Sequence, residues 1–226
     1  TGLTITDTTD LRNWVKGADK AGLHVAVHAI GDRANDFILS VYDDADKSNG
    51  SRDRRFRVEH AQHVRLESIE NFAKQHVIAS MHPYHLVDDG IWAYKRLDEK
   101  RLRGTYAFKE MMNKGVQVTF GSDWPVAPVD ALFGIYAAVT RQTGDGKNPN
   151  GWYPDQKISV DEALKSYTAN NAYASFMEGK LGVLKAGYYA DCAVLDQDLN
   201  KIDPAKIKEV KVVLTILNGK EVYKRN

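Results

Sequence analysis

From Asp10 to about Gly121 short runs with strand character alternate with segments of helical period, and nothing else in the chain constrains its fold as tightly. A helix is predicted over roughly Leu11–Lys20, followed by a strand at Leu23–His28. Ala34, Phe37, Ile38, Val41, Tyr42 and Ala45 then recur at helical spacing and place one apolar stripe on a helix ending near Asp46. Phe56–His60 reads as a second strand, followed by a helix with Leu66, Ile69, Phe72 and Ala73 facing inward. Val77–Met81 is the third strand. After a long polar connection, a helix over Tyr106–Lys114 is stopped by Gly115, Val116–Phe120 is the fourth strand, and Asp130–Gln142 the next helix. Such alternation predicts right-handed βαβ units and a parallel sheet. A closed eight-stranded β/α barrel takes about 250 residues, so four units leave room for half a barrel or a small open sheet.

The remainder changes character. Residues 143–151 form a turn-rich loop without periodicity. Ser159 and Glu162 make a capping box that opens a helix running to about Ala174. From Leu181 the pattern is strand-like: Ala190–Leu195 is one strand, and Val210–Leu217 with Glu221-Val222-Tyr223 is a hairpin turning on Asn218-Gly219. A sheet this small is marginal alone and is expected to need strands from elsewhere.

Composition removes several function classes. The 31 Lys and Arg against 30 Asp and Glu leave a net charge of +1, which does not favour a nucleic-acid partner. No stretch approaches the ~18 to 20 apolar residues of a membrane-spanning helix. The single Cys192 excludes an internal disulfide and a cysteine-based zinc site. The chain opens on Thr1 without a basic or apolar leader, which predicts a trimmed product of a longer protein and leaves its cellular location unassigned.

Chemistry concentrates at strand ends. His28 ends the first predicted strand, His60 the second, His82 follows the third and Asp123 the fourth. Functional groups of parallel α/β folds gather at the carboxyl ends of strands, and imidazoles with a carboxylate suit zinc and related divalent ions. His28 shares a face with His24 and Ala26. His60 shares one with Phe56 and Val58, which leaves Arg57 and Glu59 together on the other. His24, His63 and His76 are expected to be structural. Arg52, Arg54, Arg55 and Arg57, flanked by Asp53 and Glu59, are expected to form a solvated strand entrance. Trp92 and Tyr94, in the long connection, suit either a lid or anchors for that loop.

Several motifs resemble amidohydrolase family 3. Val27-His28-Ala29-Ile30-Gly31-Asp32-Arg33-Ala34 and Val58-Glu59-His60-Ala61-Gln62 are similar to its fifth- and sixth-strand motifs. Gly121-Ser122-Asp123-Trp124-Pro125-Val126 is similar to its eighth-strand motif, and Gly134–Arg141 to the helix that follows. Leu181–Gly187 with Ala190–Leu195 resembles the superfamily's returning β-sandwich strands. The resemblance implies an α/β fold that is the C-terminal half of a (β/α)8 TIM barrel, strands 5–8, followed by helices and part of a small β-sandwich. Residues 1–180 would be the partial barrel and 181–226 the sandwich strands. It also implies a metal-dependent hydrolase of C–N bonds acting on a small amide-like substrate. His28, His60 and Asp123 match the family's metal ligands, and Asp123 also its catalytic proton acceptor. The cofactor implied is a divalent metal, with zinc the leading choice. Met81-His82-Pro83-Tyr84-His85 stands where the family usually shows Met-Gln-Pro-x-His, so His85 matches a substrate-binding residue, and His82 replaces the usual Gln there either as a substrate-side hydrogen-bonder or as an extra proton carrier.

The superfamily's first-strand His-x-His pair appears nowhere in the sequence, and its first four strands are absent. The chain as given is therefore expected to be catalytically inert, to bind metal weakly or not at all, and either to self-associate through uncovered edge strands near Val25 and Val118 or to cover them by a rearrangement of its loops. The alternative is a non-catalytic regulatory or binding protein that retains the fold.

Overall fold

A computed structural model describes residues 4–226. Its elements are, in chain order, α1 (Thr8–Lys20), β1 (Ala26–Ala29), α2 (Asp32–Asn49), β2 (Arg57–His60), α3 (Ile69–Lys74), β3 (Ile78–Met81), α4 (His85–Asp89), α5 (Glu99–Leu102), α6 (Phe108–Asn113), β4 (Val118–Phe120), α7 (Ala131–Thr140), α8 (Val160–Tyr167), α9 (Ala169–Ala174), β5 (Cys192–Leu195), β6 (Val212–Leu217) and β7 (Lys220–Lys224). The fold is mixed α/β with a parallel sheet. Two compact units make up the chain: residues to 81 with 93–118, and residues 82–92 with 119–226.

In the first unit β1, β2 and β3 pair in parallel and in chain order, as the strand–helix alternation predicts. Leading into β4, the Gln117 carbonyl accepts from Ala79 N–H at 3.0 Å. β1 is shorter than predicted, and Leu23 is exposed. The backbone turns through Gly22 at φ +78° before it extends. Gly31 is the N-cap of α2, and Gly50, at φ +81°, ends it. Within α2 the buried stripe is Asn35, Ile38, Leu39, Val41, Tyr42 and Ala45, so Ala34 and Phe37 lie outside it. Leu66 also departs from expectation. Residues 66–68 form a 3-10 turn that leaves Leu66 exposed, and the inward face begins at Ile69 and Phe72. Gly115 takes φ +78° just beyond α6, the backbone a helix terminator needs.

The expected solvated entrance holds for the exposed Arg52 but not for Arg54. Arg54 is buried, and its Nε donates to Asp19 Oδ1 at 2.9 Å. Asp19 also accepts from Arg52 at 2.6 Å and Asn49 at 2.9 Å, while Arg54 reaches Asp46 as well. This network joins α1, the end of α2 and the approach to β2 around one buried carboxylate. The sequence shows the arginines side by side but not the Asp19 that lies 35 residues away from Arg54.

In the second unit Asp130 caps α7 by accepting from Leu132 N–H, and Arg141 closes the helix in the left-handed region. The Ser159–Glu162 capping box forms in both directions. The helix it opens breaks at Thr168, where the sequence predicts continuity to Ala174: the Thr168 hydroxyl donates to the Leu164 carbonyl at 2.7 Å, and the backbone leaves helical geometry before α9. β5, β6 and β7 form an antiparallel sheet. Asn218 and Gly219 both have positive φ, the backbone of a two-residue hairpin turn.

Candidate functional site

In the first unit His28 and His60 meet edge to face, with ring centroids 4.4 Å apart. Strand register alone does not produce this contact. Ala29 pairs with His60 and His28 with Glu59, and partners in a parallel ladder point to the same face. His28 and His60 should therefore diverge. The resolution lies in the backbone of His60, at φ +76°, with Ala61 following at φ +44°. A left-handed residue at the strand end re-aims its side chain, and for a residue with a Cβ that geometry is strained. The parity problem posed by Arg57 and Glu59 resolves with it: the two form an ion pair of 2.5 Å on the face they share. His28 is exposed and His60 buried.

In the second unit His82, His85 and Asp123 come together. His85, first residue of α4, has Nε2 at 2.9 Å from Asp123 Oδ2. The His82 and His85 rings are 6.2 Å apart and nearly perpendicular, and a ligand atom of His82 lies within 4.8 Å of one of Asp123. Ligands sharing one zinc-sized ion are separated by roughly 3 to 4 Å, so the pair is close to that reach. Asp123 also leaves its strand left-handed, at φ +62°. Gly121 gives the His82 ring its space: a Cβ there would stand 3.2 Å from Nδ1.

Neighbouring electrostatics are structural. Burial presses the His63 imidazole down to about 4, so it is neutral at pH 7, and Nδ1 engages the Thr105 hydroxyl at 2.9 Å. His24 is lowered by burial and by nearby arginine charge, against the bond it makes to the Arg55 carbonyl. Burial alone would raise the Asp32 carboxyl. The Arg33 N–H and Arg101 outweigh it and hold the group below its ordinary value. Asp32 and His63 both line a cavity of about 170 Å³, whose other walls include Leu66, Leu97, Asp98 and Arg101. Trp92 and Tyr94 are exposed.

The sequence reading passed over Asn35. It is fully buried, and its amide nitrogen approaches four backbone carbonyls. The available signal was a polar residue inside an apolar helical stripe.

Comparison with known proteins gives the family. A model of the amidohydrolase family 3 matches residues 1–223. The chain belongs to that amidohydrolase family. It is 40% identical over 98% of its length to the Arabidopsis thaliana protein LONG AFTER FAR-RED 3, covering 38% of that protein. It is 33% identical over 100% of its length to the putative amidohydrolase YtcJ of Bacillus subtilis, covering 42% of it. With N-substituted formamide deformylase of Arthrobacter pascens it shares 28% identity over 92% of this chain and 38% of that one. A crystal structure of an uncharacterized metal-dependent hydrolase from Pyrococcus horikoshii aligns with a TM-score of 0.78 at 31% identity, over 90% of this chain and 40% of that one. The chain thus spans about two fifths of the length of these relatives.

Proposed function

We propose that this chain is the C-terminal portion of a metal-dependent hydrolase acting on C–N bonds of amide or formamide type. On this reading residues 1–180 supply strands 5–8 of a (β/α)8 barrel, and residues 181–226 supply strands of a β-sandwich. The observation that carries it is the state of the strand ends: His60 closes β2 and Asp123 follows β4, both in strained left-handed backbone, and His28 meets the ring of His60. Family membership and the formamide deformylase relative support the reaction class.

The donor chemistry fits a divalent ion. His28, His60 and Asp123 are proposed as ligands, on the family motifs that these positions match. Zinc suits imidazole and carboxylate donors. A bound ion supplies Lewis-acid polarisation and a water of lowered pKa. Asp123 collects the proton of the attacking water and delivers it to the leaving amine. His85, bonded to Asp123, orients that carboxylate for both transfers. His82 and His85 bind the substrate, His82 through its imidazole where the family uses an amide.

Asp123→Asn in the full-length protein tests this. Turnover of amides and formamides should fall by about 10²- to 10⁴-fold, the range of a lost acid–base group, with part of the metal retained. Undiminished turnover removes Asp123 from the mechanism. A metal-loaded full-length protein that turns over no C–N substrate supports the non-catalytic alternative. For the chain as given, we propose inertness, weak metal binding and self-association. A monomer in sedimentation with stoichiometric, tightly bound zinc overturns that.

A further inference from the structure

We propose that Asn35 is a positioning residue whose side-chain amide sets the His28–His60 pair by tying the backbone leaving β1 to the backbone leaving β2. The inference rests on the metal reading above only for the use made of the two rings.

Asn35 lies in the first turn of α2, fully buried. Asparagine is a poor choice for a buried helical position, because it forms helix weakly and brings polar atoms that need partners. Here Nδ2 lies 3.2 Å from the carbonyl of Ala29, 3.3 Å from that of Ile30, 2.9 Å from that of Gly31 and 3.4 Å from that of His63. Three of these carbonyls belong to the three residues directly after His28. The fourth lies three residues past His60. Two N–H groups shared among four carbonyls bind the two strand exits at one point, and Ile30 C=O also accepts from His63 N–H at 2.9 Å. Asn35 Oδ1, by contrast, has no hydrogen-bond partner among the described residues. The residue thus carries a buried unsatisfied acceptor, a destabilising feature, beside a fully engaged donor. Leucine has the same branched shape, somewhat bulkier, without that cost and without the tie.

The left-handed backbone at His60 and Ala61 gives the tie its purpose. Register sends His28 and His60 to opposite faces, and the strained turn that reunites them persists only where its surroundings over-determine it. The Asn35 amide holds the segment just beyond that turn. Ser68, whose hydroxyl donates to Asp36 at 2.5 Å, also ties the region after β2 to α2 but touches neither strand exit.

The test uses this chain, labelled at its histidine rings. Wild type should show a ring-to-ring nuclear Overhauser cross-peak between His28 and His60. The peak should be lost in Asn35→Leu and in Asn35→Asp, the latter isosteric but without the amide donor, and kept in Ser68→Ala. A folded Asn35→Leu or Asn35→Asp chain that keeps the cross-peak overturns the proposal, even if its melting temperature has dropped. If neither variant folds, the wild-type side-chain amide protons of Asn35 decide. They should exchange at least about tenfold more slowly than those of an exposed asparagine such as Asn150, and equally fast exchange overturns the tie. Failure of zinc to bind the full-length protein would remove the metal reading and leave these outcomes unchanged.

Discussion

In the parallel sheet Val58, Ile78 and Ala79 are fully buried, whereas in the antiparallel tail Val194, Leu217, Val222 and Tyr223 are 44% to 56% exposed. Both sheets are made of the same β-branched and aromatic residue types, and both form their ladders. Strand formation is therefore not what separates them. Parallel strands are connected through helices, and α2 and α3 bury Tyr42, Ile69 and Phe72 where the tail has no such cover. The tail is joined by a hairpin and has ladder bonds but almost no interior of its own. Stability should thus be concentrated around β2 and β3, the region that holds the His28–His60 pair.

The largest effects test that concentration. Phe72→Ala, at a fully buried ring, should destabilise the chain by about 3 to 5 kcal/mol in denaturant titration. Asp19→Ala should cost a similar amount, about 3 to 5 kcal/mol, because it leaves the buried Arg54 only the more exposed Asp46 as a carboxylate and removes the hub that Arg52 and Asn49 also bond. A loss under about 1 kcal/mol at either site would mean that the first unit is not the stable region. Asp19 also predicts an acid limit. Burial by itself would raise its carboxyl, but the bonds from Arg54, Asn49 and Arg52 outweigh this and hold it below the ordinary value. A depressed folded value gives stability that is present above about pH 4 and lost as pH falls through the folded value.

A second pH effect falls in a separate window. His63 titrates near 4 in the folded chain against an ordinary 6.5, with burial as the dominant cause. Above pH 6.5 both states are neutral there. As pH falls from 6.5 toward 4 the unfolded chain takes up the proton first, so stability declines across that range. In His63→Gln that decline should shrink to the part that His24, also lowered by burial, contributes, while the loss below about pH 4 remains. Denaturation midpoints at pH 7.5, 5.5 and 3.5 separate the two groups. An unchanged decline between the first two in the variant would assign it elsewhere.

Much of this contrast was legible in the sequence, and the remainder was not for identifiable reasons. Periodicity located β1 to β4 and the α2 stripe because burial on one face imposes it. The Asn218-Gly219 turn and the Ser159–Glu162 box were legible because their chemistry is local. The Asp19–Arg54 network was not, since its partners are distant in sequence. Nor was the meeting of His28 and His60, which depends on a positive φ at a histidine, a conformation no residue pattern announces. Asn35 was legible only as a polar residue in an apolar stripe, and its role was not, since its partners are carbonyls, which every sequence has.

The second unit offers smaller tests. Ser159→Ala removes one side of a reciprocal cap at the exposed start of α8 and should cost about 1 kcal/mol. That is well below the change at Phe72, and a cost of similar size to Phe72→Ala would erase the contrast between the units. Gly121→Ala should leave global stability within about 0.5 kcal/mol yet shift the His82 ring resonances, because a new Cβ stands 3.2 Å from the ring.

Val222→Thr should have the smallest effect and gives the comparison its sharpest form. Val222 lies in β7, which is exposed along its whole length, and the side chain is itself 56% exposed. Threonine keeps the β-branched shape that favours an extended backbone, so the ladder to β6 loses nothing. Only a methyl is exchanged for a hydroxyl, and water can reach that hydroxyl. The expected change in unfolding free energy is within about ±0.5 kcal/mol. The same substitution at Val58, completely buried in β2, places a hydroxyl where water cannot reach it and should cost about 1 to 3 kcal/mol. Paired denaturant titrations of the two variants measure the difference directly. Equal costs at both positions would mean that the tail is as well covered in solution as the parallel sheet, through contacts with a second copy of the chain. Sedimentation of Val222→Thr beside wild type would then show a weakened association.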